Sequence, residues 1–221
     1  MQNKIMMTVY YLAVAAIQVF LGILLLRLWR KSRSVYVIFP FIVICGIIYD
    51  NLVIGLGSFI GEGELLKALN APRFIIHAFF TPCMMIFAIG VARRCGVGFA
   101  QSKTAHLIIC LFTTAMIALG VYHEVFQMTL VPVAENGTLR YINEMAQRPP
   151  IPAVLTIIVV MILAISVWIK TKKPWYFLGT LLMFIFAPMA AKFVWAGNFG
   201  EIFMNLGSVF GEKTAVEKEN S

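Results

Sequence analysis

Apolar residues in this chain come in runs long enough to form helices, separated by short polar stretches. The first run covers residues 5–26 and is followed by the basic string Arg27, Arg30, Lys31 and Arg33. The second spans residues 35–60, with Pro40 in its first turns, where a missing N–H is tolerated best. Gly57 and Gly61 in that run make a small-residue face suited to close approach of another helix. A third run starts at Pro72, a good first helical position, and reaches residue 92. Pro82 in its middle predicts a kink. The fourth run, 105–122, ends in His123 and Glu124, and the fifth covers 153–169. The sixth begins at Pro174-Trp175-Tyr176, an aromatic pair suited to a membrane interface, and closes with Lys192 and Trp195. The last, 196–210, is barely long enough for a crossing, given the ~17-residue lower limit. It also carries Asn198, Glu201, Asn205 and Ser208. The pattern predicts an all-α integral membrane bundle of seven transmembrane helices. Six helices plus a re-entrant segment is the alternative.

One polar segment, residues 125–150, interrupts the series. Within it, 129–134 and 138–142 read as extended strings on either side of Asn136-Gly137. Asn-Gly between β-prone residues is the strongest short hairpin signal, so a small outer β-hairpin is expected over the mouth of any pocket there. Pro149, Pro150 and Pro152 lead stiffly into the fifth run. Residues 1–211 are then one polytopic domain, and 212–221 a short polar cytoplasmic tail expected to fray.

Composition agrees with membrane residence. The chain has 221 residues, 61% hydrophobic and 13% charged, with a mean hydropathy of +0.88. A soluble domain is nearer ~25% charged. The net charge of +8 does not indicate nucleic acid, because the basic residues cluster in short loops between apolar runs. Ten of the eighteen Lys and Arg fall in the loops after the first, third and fifth runs. By the positive-inside rule those loops are cytoplasmic and the N-terminus lies outside, in a plasma or bacterial inner membrane. The four cysteines, Cys45, Cys83, Cys95 and Cys110, form no Cys-x-x-Cys pair and read as small buried hydrophobes.

Threading the runs through a bilayer at ~1.5 Å per residue brings ionisable groups from several helices to one outer level. Asp50 lies in the outer half of the second helix, flanked by Tyr49 and Asn51. Arg73 enters the third helix, with His77 one turn deeper on the same face and Phe80 beyond it. His123 and Glu124 cap the fourth, and Glu201 and Asn205 line the last. Intramembrane ionisable groups default to function, and this set reads as an outward-facing polar pocket. Asp50, His77 and Glu124 are the candidate acid–base groups. Tyr49, Asn51, Arg73, Phe80, His123, Glu201 and Asn205 are the candidate substrate contacts. The plainer alternatives are a structural Asp50–Arg73 pair, a wetted helix end at His123 and Glu124, and snorkelling of Arg73 and Lys192.

Neither His-x-x-x-His nor His-Glu-x-x-His is present, so no metal is assigned, and no cofactor motif appears. The expected activity is that of a small membrane enzyme acting on a lipid or isoprenoid-like substrate by general acid–base chemistry. Membrane lipids and a hydrophobic small molecule are the expected partners. A proton-coupled transporter using Asp50, Arg73 and Glu201, or a non-catalytic membrane scaffold, is the alternative. In size, helix count and lone acidic residues the chain is similar to small integral-membrane terpene cyclases. That similarity is one of layout, without a shared motif, and it assigns no residue.

Orientation is testable with single cysteines at Asn136 and Ser32 in a background lacking the four native ones. In intact cells an impermeant thiol reagent labels Asn136→Cys and spares Ser32→Cys. The reverse pattern overturns the orientation.

Overall fold

Local signals set the helix ends. In the computed structural model, which describes residues 2–145 and 150–220, α1 (Gln2–Ser32) runs without proline or interior break until Arg33 turns left-handed (φ 52°). α2 (Ile38–Ile60) follows a single 3₁₀ turn and stops at Gly61. Gly61 (φ 85°) and Gly63 (φ 153°) adopt backbone that side chains disfavour, which lets the chain reverse at once into α3 (Glu64–Phe80). The helix therefore begins before Pro72, which lies inside it, and residues expected in an outer loop are helical. After a turn at 81–83 the chain resumes as α4 (Met84–Arg94). Pro82 thus breaks the run outright, and the turn is closed by short-range bonds such as Met85 N–H to Pro82 O (3.1 Å).

α5 (Lys103–Val121) is N-capped by Ser102, whose Oγ accepts from Thr104 N–H at 3.1 Å, and it ends in one π turn over Tyr122–Phe126. α6 (Ile151–Thr171), α7 (Trp175–Met189) and α8 (Trp195–Glu219) complete a mostly helical chain. Pro149, named above, lies outside the described residues. Among the described residues, five segments are long and apolar enough to cross a membrane: Gln2–Ser32, Val35–Ile60, Glu64–Arg94, Lys103–Phe126 and Ile151–Thr171. α7 is apolar but shorter.

The hairpin forms as its sequence dictates. β1 (Leu130–Glu135) and β2 (Thr138–Asn143) pair antiparallel, Glu135 opposite Thr138. The two turn residues, Asn136 and Gly137, both have positive φ (50° and 87°), the conformation of a type I′ turn. Its position differs from expectation. The carbonyl of Leu139 sits where a Cβ on Gly57 would be, at 2.0 Å, so the Gly57 face receives a strand and not a helix. Ser58 Oγ also donates to Gly137 O at 2.9 Å.

The helices close into a ring in which α1 packs on α2 and α8, α2 on α3, and α6 on α7. α4 occupies the interior, touching α2, α5, α6 and α8. Met84 through Ala92 are almost entirely buried, as an all-round apolar helix must be. The closest helix pair is α7 and α8. A Cβ on Gly179 would lie 2.5 Å from Phe203 O and 2.6 Å from the Cα of Gly207, so the backbones meet with no side chain between. Gly211 lies under the ring of Tyr176. Tyr176 is therefore buried rather than part of an interfacial belt, while Trp175 is exposed.

The tail expected to fray is instead the last turns of a continuous α8, with Gly211, Glu212, Thr214, Ala215 and Val216 buried. No doubling back occurs within Trp195–Glu219. Arg94 fastens this end, donating from Nη1 to the fully buried Glu212 (2.6 Å) and from Nε to Glu219 (2.7 Å). That bond holds the Glu219 carboxyl below its usual range. Lys173 pairs with Glu217 beside it.

Because backbone atoms fill the space at Gly179, Gly179→Ala must push α7 off α8. Overpacking of this kind costs about 1–3 kcal/mol, seen as a lowered thermal midpoint in detergent. Gly98→Ala, with nothing within 4 Å, is the control and leaves the midpoint nearly unchanged.

Candidate functional site

The break at Pro82 makes the space in which the polar residues meet. α4 fills the interior of the ring at the end away from the hairpin, whereas α3 packs on α2, α5 and the hairpin. Between them, in the half nearer the hairpin, lies a cavity of about 90 Å³ lined by Thr81 and Met84 among others. α2 contributes Asp50, α3 contributes Arg73, His77 and Phe80, and α8 contributes Glu201 and Asn205. α6 and α7 wall the far side with Ala153, Thr156, Ile157 and Met183. A second cavity of about 380 Å³ shares His77 and Glu201 with the first and extends between α6 and α7.

Asp50 and Arg73 form the expected ion pair, Nε to Oδ1 at 2.6 Å, with side chains 24% and 11% exposed. Asp50 Oδ2 also accepts from Asn198 Nδ2 at 3.0 Å, so both carboxylate oxygens are engaged. Arg73 Nη1 donates to Asn70 Oδ1 (2.5 Å) and to the Tyr141 carbonyl (3.4 Å). Asn70 is buried. Its Oδ1 also accepts from Tyr141 N–H at 3.2 Å, and its Nδ2 donates to Leu66 O at 2.7 Å. The hairpin thus braces the ion pair from behind, and none of its residues lines either cavity.

Glu201 is placed differently. Its Oε2 is buried and has no hydrogen-bond partner among the described residues, on the wall common to both cavities. Below it Asn205 Nδ2 donates to Gln18 Oε1 at 2.8 Å, both residues being fully buried.

The remaining candidates divide. His77 also lines a small side cavity of about 20 Å³ with Glu124, between α3, α5 and α6, so Glu124 meets His77 but not Asp50. Tyr49, Asn51 and His123 stand outside the three cavities. Tyr49 Oη donates to Leu69 O (2.8 Å) and ties α2 to α3. Asn51 is buried and bonds its own helix at Ile47 O. His123 packs edge-on against Tyr122. Sequence reasoning missed Asn70, Asn198 and Gln18 as partners. For Asn198 a signal existed: Asn198, Glu201, Asn205, Ser208 and Glu212 recur every three or four residues, one face of a helix. Among the described residues no three His, Cys, Asp or Glu side chains gather as a metal site would require.

Removing one partner of a buried pair strands the other charge, at about 3–5 kcal/mol when burial is complete. With Asp50 a quarter exposed, Asp50→Asn should cost near or below the lower bound. Asp50→Asn combined with Arg73→Gln should recover part of the loss. Thermal unfolding of the two single variants and the double variant measures the coupling, and strict additivity would show that the pair contributes nothing. No protein-family model, no curated protein and no solved structure matches this chain.

Proposed function

We propose that this chain is a multi-pass membrane enzyme with seven crossings and its N-terminus outside. It acts on a lipid or isoprenoid-like substrate by general acid–base chemistry in the outer-half cavity. Support for the membrane setting comes from the five long apolar helices and from the outward-facing apolar side chains on them. Ile5, Met6, Val9 and Phe20 on α1 and Leu107, Ile108 and Leu111 on α5 are all exposed. The basic residues at the ends of α1, α4 and α6 favour that end as cytoplasmic. Seven crossings count α3 and α4 as one interrupted span and include α7 and α8.

One observation carries the enzymatic reading: Glu201 presents a buried, unpartnered carboxyl oxygen to a cavity that it shares with His77. A carboxyl whose oxygens are already engaged is poorly placed to exchange a proton, and Asp50 is in that state. Glu201 is therefore the proton donor or acceptor and His77 its partner across the cavity. Asp50 and Arg73 form a fixed dipole that orients the polar end of the substrate. Such preorganised charge is effective in a site shielded from water.

A proton-coupled carrier is the second reading, favoured by the polar face of α8. That face leads from Glu201 through Asn205 and Ser208 to Glu212, whose Oε1 is also buried without a partner among the described residues. In a carrier, Glu212→Gln would abolish transport. In the enzyme, Glu212 serves only to anchor Arg94.

Membranes containing the protein, supplied with a panel of isoprenoid and acyl lipids and analysed by mass spectrometry, test the main reading. Glu201→Gln should lower product formation by about 10²–10⁴-fold, the usual contribution of a general acid or base, while the protein remains folded. Near-normal turnover in that variant removes Glu201 from the mechanism.

A further inference from the structure

The larger cavity has a direction. At the inner end of the α6–α7 pair the helices are closed by stacking of Trp168 on Phe177, 5.2 Å between ring centres. In the outer half the space between them is the cavity itself, with Val154 and Ile157 on one side and Phe184, Ala187 and Pro188 on the other. The flank around it is apolar, with Ile162, Phe184 and Ile185 exposed. A volume of about 380 Å³ falls within the ~300–1,000 Å³ of small-molecule sites. The cleft thus joins an apolar exterior to a polar end wall at Glu201 and His77.

Charge at that end wall selects the ligand. Among the described residues Arg73 is the only Lys or Arg lining either cavity, and it already donates to Asp50, Asn70 and Tyr141. Two carboxyls, Asp50 and Glu201, face the same space. A phosphate or diphosphate head would bring roughly −1.5 to −2 charges or more to a site whose one described guanidinium is already charge-paired with Asp50. Uncompensated buried charge is strongly unfavourable. An unpartnered carboxyl oxygen and an imidazole suit a neutral oxygen instead, since a hydroxyl both donates and accepts.

We infer that the α6–α7 cleft admits a neutral long-chain lipid sideways from the bilayer, its terminal hydroxyl or carbonyl reaching Glu201 and His77, and refuses the phosphorylated form of the same chain. This deepens the reading above and rests on its placement of the chain in a membrane. It adds the route and the head-group class.

The test uses the full chain in nanodiscs with two photoreactive probes, a long-chain alcohol bearing a mid-chain diazirine and its monophosphate. The alcohol should crosslink to α6 and α7 residues lining the cleft, and the monophosphate at least about tenfold less. Ala187→Trp and Val154→Phe narrow the cleft from opposite sides without touching the polar wall. Each, if folded by circular dichroism, should cut alcohol labelling by a similar factor. Equal labelling by the monophosphate overturns the head-group selection. Labelling unchanged in either folded variant, or confined to other helices, overturns the route. Glu201→Gln separates this inference from the catalytic one. Cleft labelling with turnover intact in that variant defeats the catalysis and leaves the route standing. Labelling elsewhere, with turnover lost, does the opposite.

Discussion

The Asp50–Arg73 ion pair is the constraint around which the hairpin-side half of the molecule is arranged. Two charges inside an apolar bundle are tolerable only if their remaining hydrogen-bonding capacity is filled. Here Asn198 from α8 serves Asp50, while Asn70 and the Tyr141 carbonyl serve Arg73. With the pair itself they draw on α2, α3, α8 and β2. Meeting the demand of one pair therefore fixes how four elements sit together. Asn70 does double duty, since the oxygen that accepts from Arg73 also accepts from the backbone of β2. The hairpin is in this sense part of the ion pair's scaffold.

A satisfied pair beside an unsatisfied carboxyl gives the site its asymmetry. Asp50 is fully engaged, whereas Glu201 on α8 keeps a buried oxygen without a partner. The position of Glu201 depends on how closely α8 packs on α7. Gly179, Gly200 and Gly207 let the two backbones approach to a distance that any side chain would prevent. At the end away from the hairpin, Arg94 clamped onto Glu212 and Glu219 holds the last turns of α8. That half of the bundle is filled by α4, by the Trp168–Phe177 stack and by these ion pairs, and the three cavities described lie in the other half.

That volume originates in the interruption at Thr81–Cys83. Had the third apolar run continued straight, α4 would have followed α3 along the wall and the interior would have lacked its central helix. By ending α3 and restarting the chain as α4, Pro82 sends the most apolar turns inward and leaves the polar turns of α3 beside α2. One break in the backbone thereby supplies both the core and the cavity.

Much of this was legible in the residues themselves. Run length and hydropathy located the helices, because a long apolar stretch has few alternatives to a helix. Asn136-Gly137 announced the hairpin, because a two-residue turn with both φ values positive has few other solutions. Depth along the second and third runs suggested Asp50 with Arg73, because antiparallel neighbours joined by a short connection lie side by side. Partner choice was the part that only tertiary structure decided. Whether Gly57 would meet a helix or a strand, whether Tyr176 faced outward or inward, and whether residues beyond Gly211 would fray all depended on distant segments. The same holds for the difference between Asp50 and Glu201. Both are lone carboxyls in apolar surroundings, and nothing local distinguishes them. Asn198 and Arg73 happen to reach one and not the other, a fact of three-dimensional proximity between residues up to 148 positions apart.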